Sequence, residues 1–162
     1  VERMNKLNER LNEMMKKAGR SQEYIDSHQM TVAKVVNVAS MVEKEAANSI
    51  ENFTVASVIY NRLYRWELPY LNIDATIVYA LGGKTDPLTL SDLQIDSPYN
   101  TYTHMGLPVG PIANPGLASL NAALDPDETD YFYYALNPKT NEHKFSKTEE
   151  EHQKFLDSLK DE

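Results

Sequence analysis

Apolar residues at Met4, Leu7, Leu11, Met14 and Ala18 recur in alternating steps of three and four among charged neighbours. That spacing lays one stripe along a helix, and Gly19 supplies its stop. A short polar stretch from Arg20 to Gln29 leads to Thr31, which is suited to cap a second helix. Val35, Val38, Ala39, Val42 and Ala46 form the stripe of that helix. A third begins near Thr54 and turns Val55, Val58, Ile59 and Leu63 inward. The segment from Leu68 to Tyr79 has no clear period, Gly82-Gly83 breaks it, and a short helix is expected after Thr89 or Ser91.

Between Ser97 and Gly116 prolines and glycines are too dense for regular structure. A loop of that length inside a domain is usually functional or disordered, and Tyr99 and Tyr102 favour an ordered one. Asn114-Pro115 reads as the cap and first turn of a helix burying Leu117, Leu120 and Leu124, ended by Pro126. Tyr131 to Leu136 is strand-like, Asn137 to Asn141 is a turn, and Glu142 to Phe145 returns as the partner strand. Ser146 with Glu149 has the spacing of a capping box. It would open a last helix that uses His152, Phe155, Leu156 and Leu159. The sum is an α+β fold, a mainly helical single domain with a small β-hairpin and a long Pro/Gly-rich cleft loop.

The 162 residues suffice for one domain with its own core. A net charge of −8 argues against nucleic acid and against an anionic membrane face as partners. The chain has no cysteine, which removes thiol catalysis, thiolate metal sites and disulfides. His28, His104, His143 and His152 lack metal-ligand spacing, so no metal is expected. Gly82-Gly83-Lys84-Thr85 lacks the upstream glycine of a phosphate-binding loop and reads as a turn.

Candidate chemistry starts at Ala39-Ser40-Met41-Val42-Glu43-Lys44-Glu45. On a helix, Lys44 points away from the apolar stripe, and Glu43 and Glu45 lie on opposite shoulders, each about 80° from its centre. A shoulder carboxyl that is partly desolvated holds its proton to higher pH, as a general acid must. Geometry alone does not choose between the two, and both also suit an ordinary solvated face. The loop offers tyrosine faces for stacking on sugars, with Asn, Ser and Thr to read hydroxyl and acetamido groups. A rigid structural loop has the same composition.

The order of motifs is more specific. Ala39 to Glu45 is followed by Val55-Ala56-Ser57-Val58-Ile59-Tyr60-Asn61-Arg62-Leu63, then by Asp74-Ala75-Thr76-Ile77-Val78-Tyr79-Ala80. Tyr99-Asn100-Thr101-Tyr102 and the run from Gly106-Leu107-Pro108 to Pro115-Gly116 complete it. This succession, over about residues 32 to 157, resembles the catalytic domain of the MltG/YceG family of endolytic lytic transglycosylases. Leu71-Asn72-Ile73 and Ala75 depart from the pattern usual around the Asp, and the first thirty residues carry no matching motif.

The resemblance implies cleavage of the β-1,4 bond between N-acetylmuramic acid and N-acetylglucosamine in peptidoglycan, leaving a 1,6-anhydro end and needing no cofactor. It makes Glu45 the catalytic acid and Glu43 its neighbour. Asn61, Asp74, Thr76, Tyr99, Asn100 and Thr101 become supporting or substrate-binding residues. It implies action at the extracytoplasmic face of the bacterial cell membrane, reached through a segment outside this chain, with cell-wall synthesis proteins as further partners. Residues 1–30 are then a helical lead-in and 31–162 the catalytic domain. Two other readings compete: a glycan-binding module that does not cut, and a scaffold that recruits partners through the Met4–Leu7–Leu11–Met14 seam.

Overall fold

The computed structural model describes residues 1–83 and 86–160, so Lys84 and Thr85 of the expected Gly82–Thr85 turn lie outside the described residues. Helix α1 spans Glu2–Lys17 and α2 Gln22–Ser27, and α3 (Val32–Glu45) and α4 (Asn52–Arg65) form the centre. Then come α5 (Asp74–Ala80), a single 3-10 turn at Asp92–Gln94, α6 (Leu117–Leu124), strands β1 (Tyr133–Asn137) and β2 (Glu142–Ser146), and α7 (Glu149–Lys160). The family of elements is the α+β set expected, with one antiparallel hairpin in which Tyr133 faces Ser146 and Asn137 faces Glu142.

Helix α3 packs chiefly on α6 and α4, α1 lies across α4, and α7 covers the hairpin. Val38, Met41, Val42, Val55 and Ile59 are withdrawn from water in the core, each worth about 1.5–3 kcal/mol relative to exposure. Tyr60 is buried whole, and its hydroxyl donates to the Ala123 carbonyl at 2.7 Å, which joins α4 to the end of α6. On α1 the buried set is Leu7, Leu11 and Met15, with Met14 only partly covered and Ala18 exposed. Steps of four follow the helix face more closely here than the alternating three-four reading. The seam is used within the domain, on the same core as the rest.

Four local expectations need correction. The Arg20–Gln29 stretch holds a helix, α2, because Ser21 caps it by accepting from the Tyr24 N–H and Ile25 plugs into the core. Helix α6 starts at Leu117 with Gly116 as its N-cap, two residues beyond the Asn114-Pro115 pair. Leu117 is 74% exposed, and the buried residues of α6 are Ser119, Ala122 and Ala123, small enough to let α3 and α4 approach. The cap of α7 is Thr148, whose hydroxyl accepts from the Glu151 N–H while the Glu151 carboxyl reaches back to the Lys147 N–H. Ser146 instead ends β2 and is buried.

The Pro/Gly-rich segment is irregular, as its composition requires, but it is pinned. The Asn100 side chain donates to the Leu93 and Ile95 carbonyls, and its own carbonyl accepts from the Tyr102 N–H. Thr101 accepts from the Ile73 N–H at 2.9 Å. These bonds fix the segment against the start of α5. That junction is where the site is built.

Candidate active site

Glu45 is the last residue of α3; Ala46 turns to an extended conformation and ends the helix. The Glu45 carboxyl enters a cavity of about 520 Å³ whose walls come from α4, the Leu71–Asp74 approach to α5, Tyr102, the hairpin and α7. The Tyr134 hydroxyl donates to Glu45 Oε1 at 3.0 Å. Burial dominates the electrostatics and pushes the Glu45 pKa up to about 7. The Tyr134 bond opposes the rise and the nearby Asp74 charge adds to it. The negative end of α3 acts in the same sense as burial, because it disfavours an anion in the last turn.

Asp74 opens α5 and receives a hydrogen bond from the Tyr102 hydroxyl. Arg62 ties two walls together: its Nε donates to the Phe132 carbonyl at 2.6 Å and one terminal nitrogen to the Leu71 carbonyl at 3.0 Å. Its guanidinium also lies 4.5 Å from the Trp66 ring centre and 5.2 Å from that of Tyr133. His152 of α7 stacks on Tyr133 across the rim, and burial lowers its pKa, so it stays neutral at physiological pH. The cavity therefore joins one carboxyl able to carry a proton near neutrality, a second held by a tyrosine, and aromatic walls.

The chain matches the YceG-like family over residues 1–158. It belongs to that family.

A Bacillus subtilis (strain 168) protein named endolytic murein transglycosylase is 46% identical over 127 residues, covering 78% of this chain and 34% of that protein. One of the same name from Streptococcus pneumoniae serotype 2 (strain D39) is 32% identical over 133 residues, covering 79% of this chain and 24% of its own length. The match thus spans about a quarter to about a third of the length of these relatives. The crystal structure of a yceG-like protein from Listeria monocytogenes superposes with a TM-score of 0.74 at 44% identity, over 83% of this chain and 43% of that one.

Within this YceG-like domain, Glu45 and Asp74 of the expected site residues line the cavity. Thr76 and Thr101 are buried just behind it, their hydroxyls 3.0 Å apart and both turned to the Ile73 backbone. Asn100 is wholly buried and holds the loop. Those three support the Asp74–Tyr102 wall from beneath. Tyr99 does not line the cavity; its ring packs against Tyr79 with centres 4.8 Å apart.

Glu43 sits on the other shoulder of α3, as the helical geometry requires, and is exposed. Its Oε1 accepts from the Gly116 N–H at 2.9 Å and the Ser119 hydroxyl at 3.0 Å, and these bonds lower its pKa. It anchors the start of α6. Asn61 lies on a different face of α4, beside a second cavity of about 630 Å³. Its amide nitrogen holds the Thr129 and Tyr131 carbonyls at 3.0 and 2.8 Å, which fixes the run into β1. Ion pairs such as Arg10–Glu128 and Arg65–Asp130 occupy the rim of that second cavity.

Sequence reasoning missed Tyr134, His143, His152 and Arg62 as cavity residues. Arg62 stood inside a quoted motif, and Tyr134 in a strand noted as aromatic. No local pattern joins Tyr134 to a glutamate 89 positions earlier.

Proposed function

We propose that this chain is the catalytic part of an endolytic lytic transglycosylase that cuts the β-1,4 bond from N-acetylmuramic acid to N-acetylglucosamine within peptidoglycan strands. The observation that carries the reading is the Glu45 carboxyl, half-buried at a cavity large enough for sugar, with the Tyr134 hydroxyl on its Oε1 and its pKa raised to about 7. The names of the relatives agree with it. Such a substrate lies outside the bacterial cytoplasmic membrane, and wall-synthesis proteins would be its neighbours there.

In the first step Glu45 gives its proton to the glycosidic oxygen as the bond from that oxygen to the muramyl C1 breaks. The C6 hydroxyl of the same muramyl sugar then forms the new bond to C1, and the Glu45 carboxylate takes the proton that this hydroxyl releases. The acetamido group can assist at C1 between the two events. One proton has passed from O6 to the leaving oxygen through one carboxyl, and no water is consumed. Positive charge on the sugar ring is met by Asp74, which Tyr102 holds in the cavity.

Asp74 also supports a second reading. Two carboxyls in one cavity are the equipment of a hydrolase, in which one protonates the leaving oxygen and the second activates water or attacks C1. The products distinguish the readings. Digests of purified, peptide-free glycan strands, read by mass spectrometry, are expected to carry 1,6-anhydromuramyl ends. Asp74→Asn is expected to slow turnover by about 10²-fold, the scale of one electrostatic stabiliser, without changing those ends. Reducing muramyl ends from the unaltered chain would assign Asp74 to water activation, and binding without any new ends would leave a glycan-binding module.

A further inference from the structure

Glu51 occupies the N-cap position of α4, yet its carboxyl is turned into the protein rather than onto its own helix. Oε1 accepts the backbone N–H of His143 at 2.7 Å, and Oε2 meets Nδ1 of the same residue at 2.7 Å. A carboxylate offers acceptors only, so Nδ1 is the donor. The two side chains are 11% and 7% exposed, and both oxygens are committed to one residue of β2. A buried pair of this kind is weak evidence for stability, since desolvation offsets much of the attraction. Its geometric effect is definite: it fixes one strand of the hairpin against α4.

The consequence of that clamp is visible two residue pairs along the ladder. His143 faces Leu136, and Tyr134 faces Phe145, so Tyr134 and His143 are diagonal neighbours on the hairpin face that lines the cavity. Their ring centres are 5.3 Å apart at 78°, edge to face. From there the Tyr134 hydroxyl reaches Glu45 Oε1.

We propose that Glu51, acting through His143, is a positioning residue that holds the Tyr134 hydroxyl on Oε1 of Glu45, so that Oε2 carries the proton given to the substrate. The proposal rests on the reading of Glu45 as the acid. Glu45 shares its cavity with Asp74 from α5, Tyr102 from the loop, Arg62 from α4, Tyr133, Tyr134 and His143 from the hairpin, and His152 from α7. Of these, Tyr134 bonds the Glu45 carboxyl and thereby favours its charged form.

The test is the carboxyl titration of Glu45, followed by carbon-13 NMR on glutamate-labelled protein and assigned by the signal lost in Glu45→Gln. Tyr134→Phe should raise the Glu45 midpoint by about one pH unit, the scale of one hydrogen bond to a carboxylate. Glu51→Ala should raise it similarly, and the Glu51→Ala/Tyr134→Phe double variant no further than Tyr134→Phe alone. Removing a neighbouring negative charge would by itself move the midpoint down, so the direction is diagnostic. In Glu51→Gln the amide oxygen still accepts the backbone N–H, and the amide nitrogen donates to Nδ1 once the ring proton moves to Nε2, so the original midpoint should return. His143→Ala removes the ring without touching Glu51 and carries the same expectation if Glu51→Ala does not fold. A midpoint unchanged or lowered in Glu51→Ala or His143→Ala would overturn the proposal and leave a structural staple. The titration uses no turnover, so undiminished glycan cleavage by Glu45→Gln would defeat the acid assignment separately.

Discussion

Glu45→Gln is expected to lose glycan cleavage by at least about 10³-fold, near 4 kcal/mol of transition-state stabilisation. The amide matches the carboxyl in size and can still accept the Tyr134 hydroxyl, so the cavity keeps its shape. It cannot release a proton to a leaving oxygen or collect one from a C6 hydroxyl. Because a single carboxyl serves both steps in the transglycosylase reading, nothing nearby replaces it. Asp74 is engaged by Tyr102. The loss should appear in kcat with KM little changed, as expected for an interaction made in the transition state. Release of soluble muropeptides or shortened strands is the readout, and turnover within tenfold of the original would remove Glu45 from the mechanism.

The same replacement should make the protein more stable, and only at higher pH. In the fold the Glu45 pKa is about 7 against an ordinary 4.5, chiefly through burial. Below pH 4.5 the group is protonated in both folded and unfolded chains and burying it carries no charge penalty. As pH rises from 4.5 to 7 the unfolded chain gives up the proton while the folded chain retains it, so stability falls; above 7 the full penalty of up to about 3 kcal/mol is in place. Gln carries no such penalty. Glu45→Gln is therefore expected to gain on the order of 5–10 °C in Tm at pH 8 and almost nothing at pH 4. Equal Tm values at both pH values would mean that the carboxyl is well solvated in the fold. A site that costs stability by disfavouring the carboxylate, and so keeps the proton, is what acid catalysis near neutrality requires.

What the sequence made legible follows its short-range physics. Thr31 caps α3 as read, with the Lys34 N–H bonded to its hydroxyl, and the hairpin turn lies between Asn137 and Asn141, whose φ of 57° suits an asparagine. These features depend on neighbours a few residues away. The errors arise where tertiary contacts override local signals. Helix α6 begins at Leu117, and Glu43, over seventy positions earlier, takes the N–H of its Gly116 cap. Helix α2 has a single buried residue, Ile25, too little for a periodic pattern.

The candidate site divides the same way. Helical geometry put Glu43 and Glu45 on opposite shoulders but left open which one a cavity would shelter, because the shelter comes from Tyr134, Arg62 and His152 on distant elements. Asn61 and Asn100 were expected, by resemblance, among the supporting or substrate-binding residues. Whether they face sugar or backbone carbonyls depends on partners such as Tyr131 and Ile95. The Glu51–His143 pair, separated by 92 positions, leaves no trace in local spacing.

The central claim is that Glu45 delivers a proton it still holds at neutral pH, and the pH dependence of kcat/KM on peptide-free glycan strands tests it most directly. That quantity reports the acid of the free enzyme. The expected profile turns down above a midpoint of about pH 7, falling tenfold per pH unit beyond it. A profile that stays level to pH 9, or one that turns down near 4.5 as an ordinary solvated glutamate would, contradicts it.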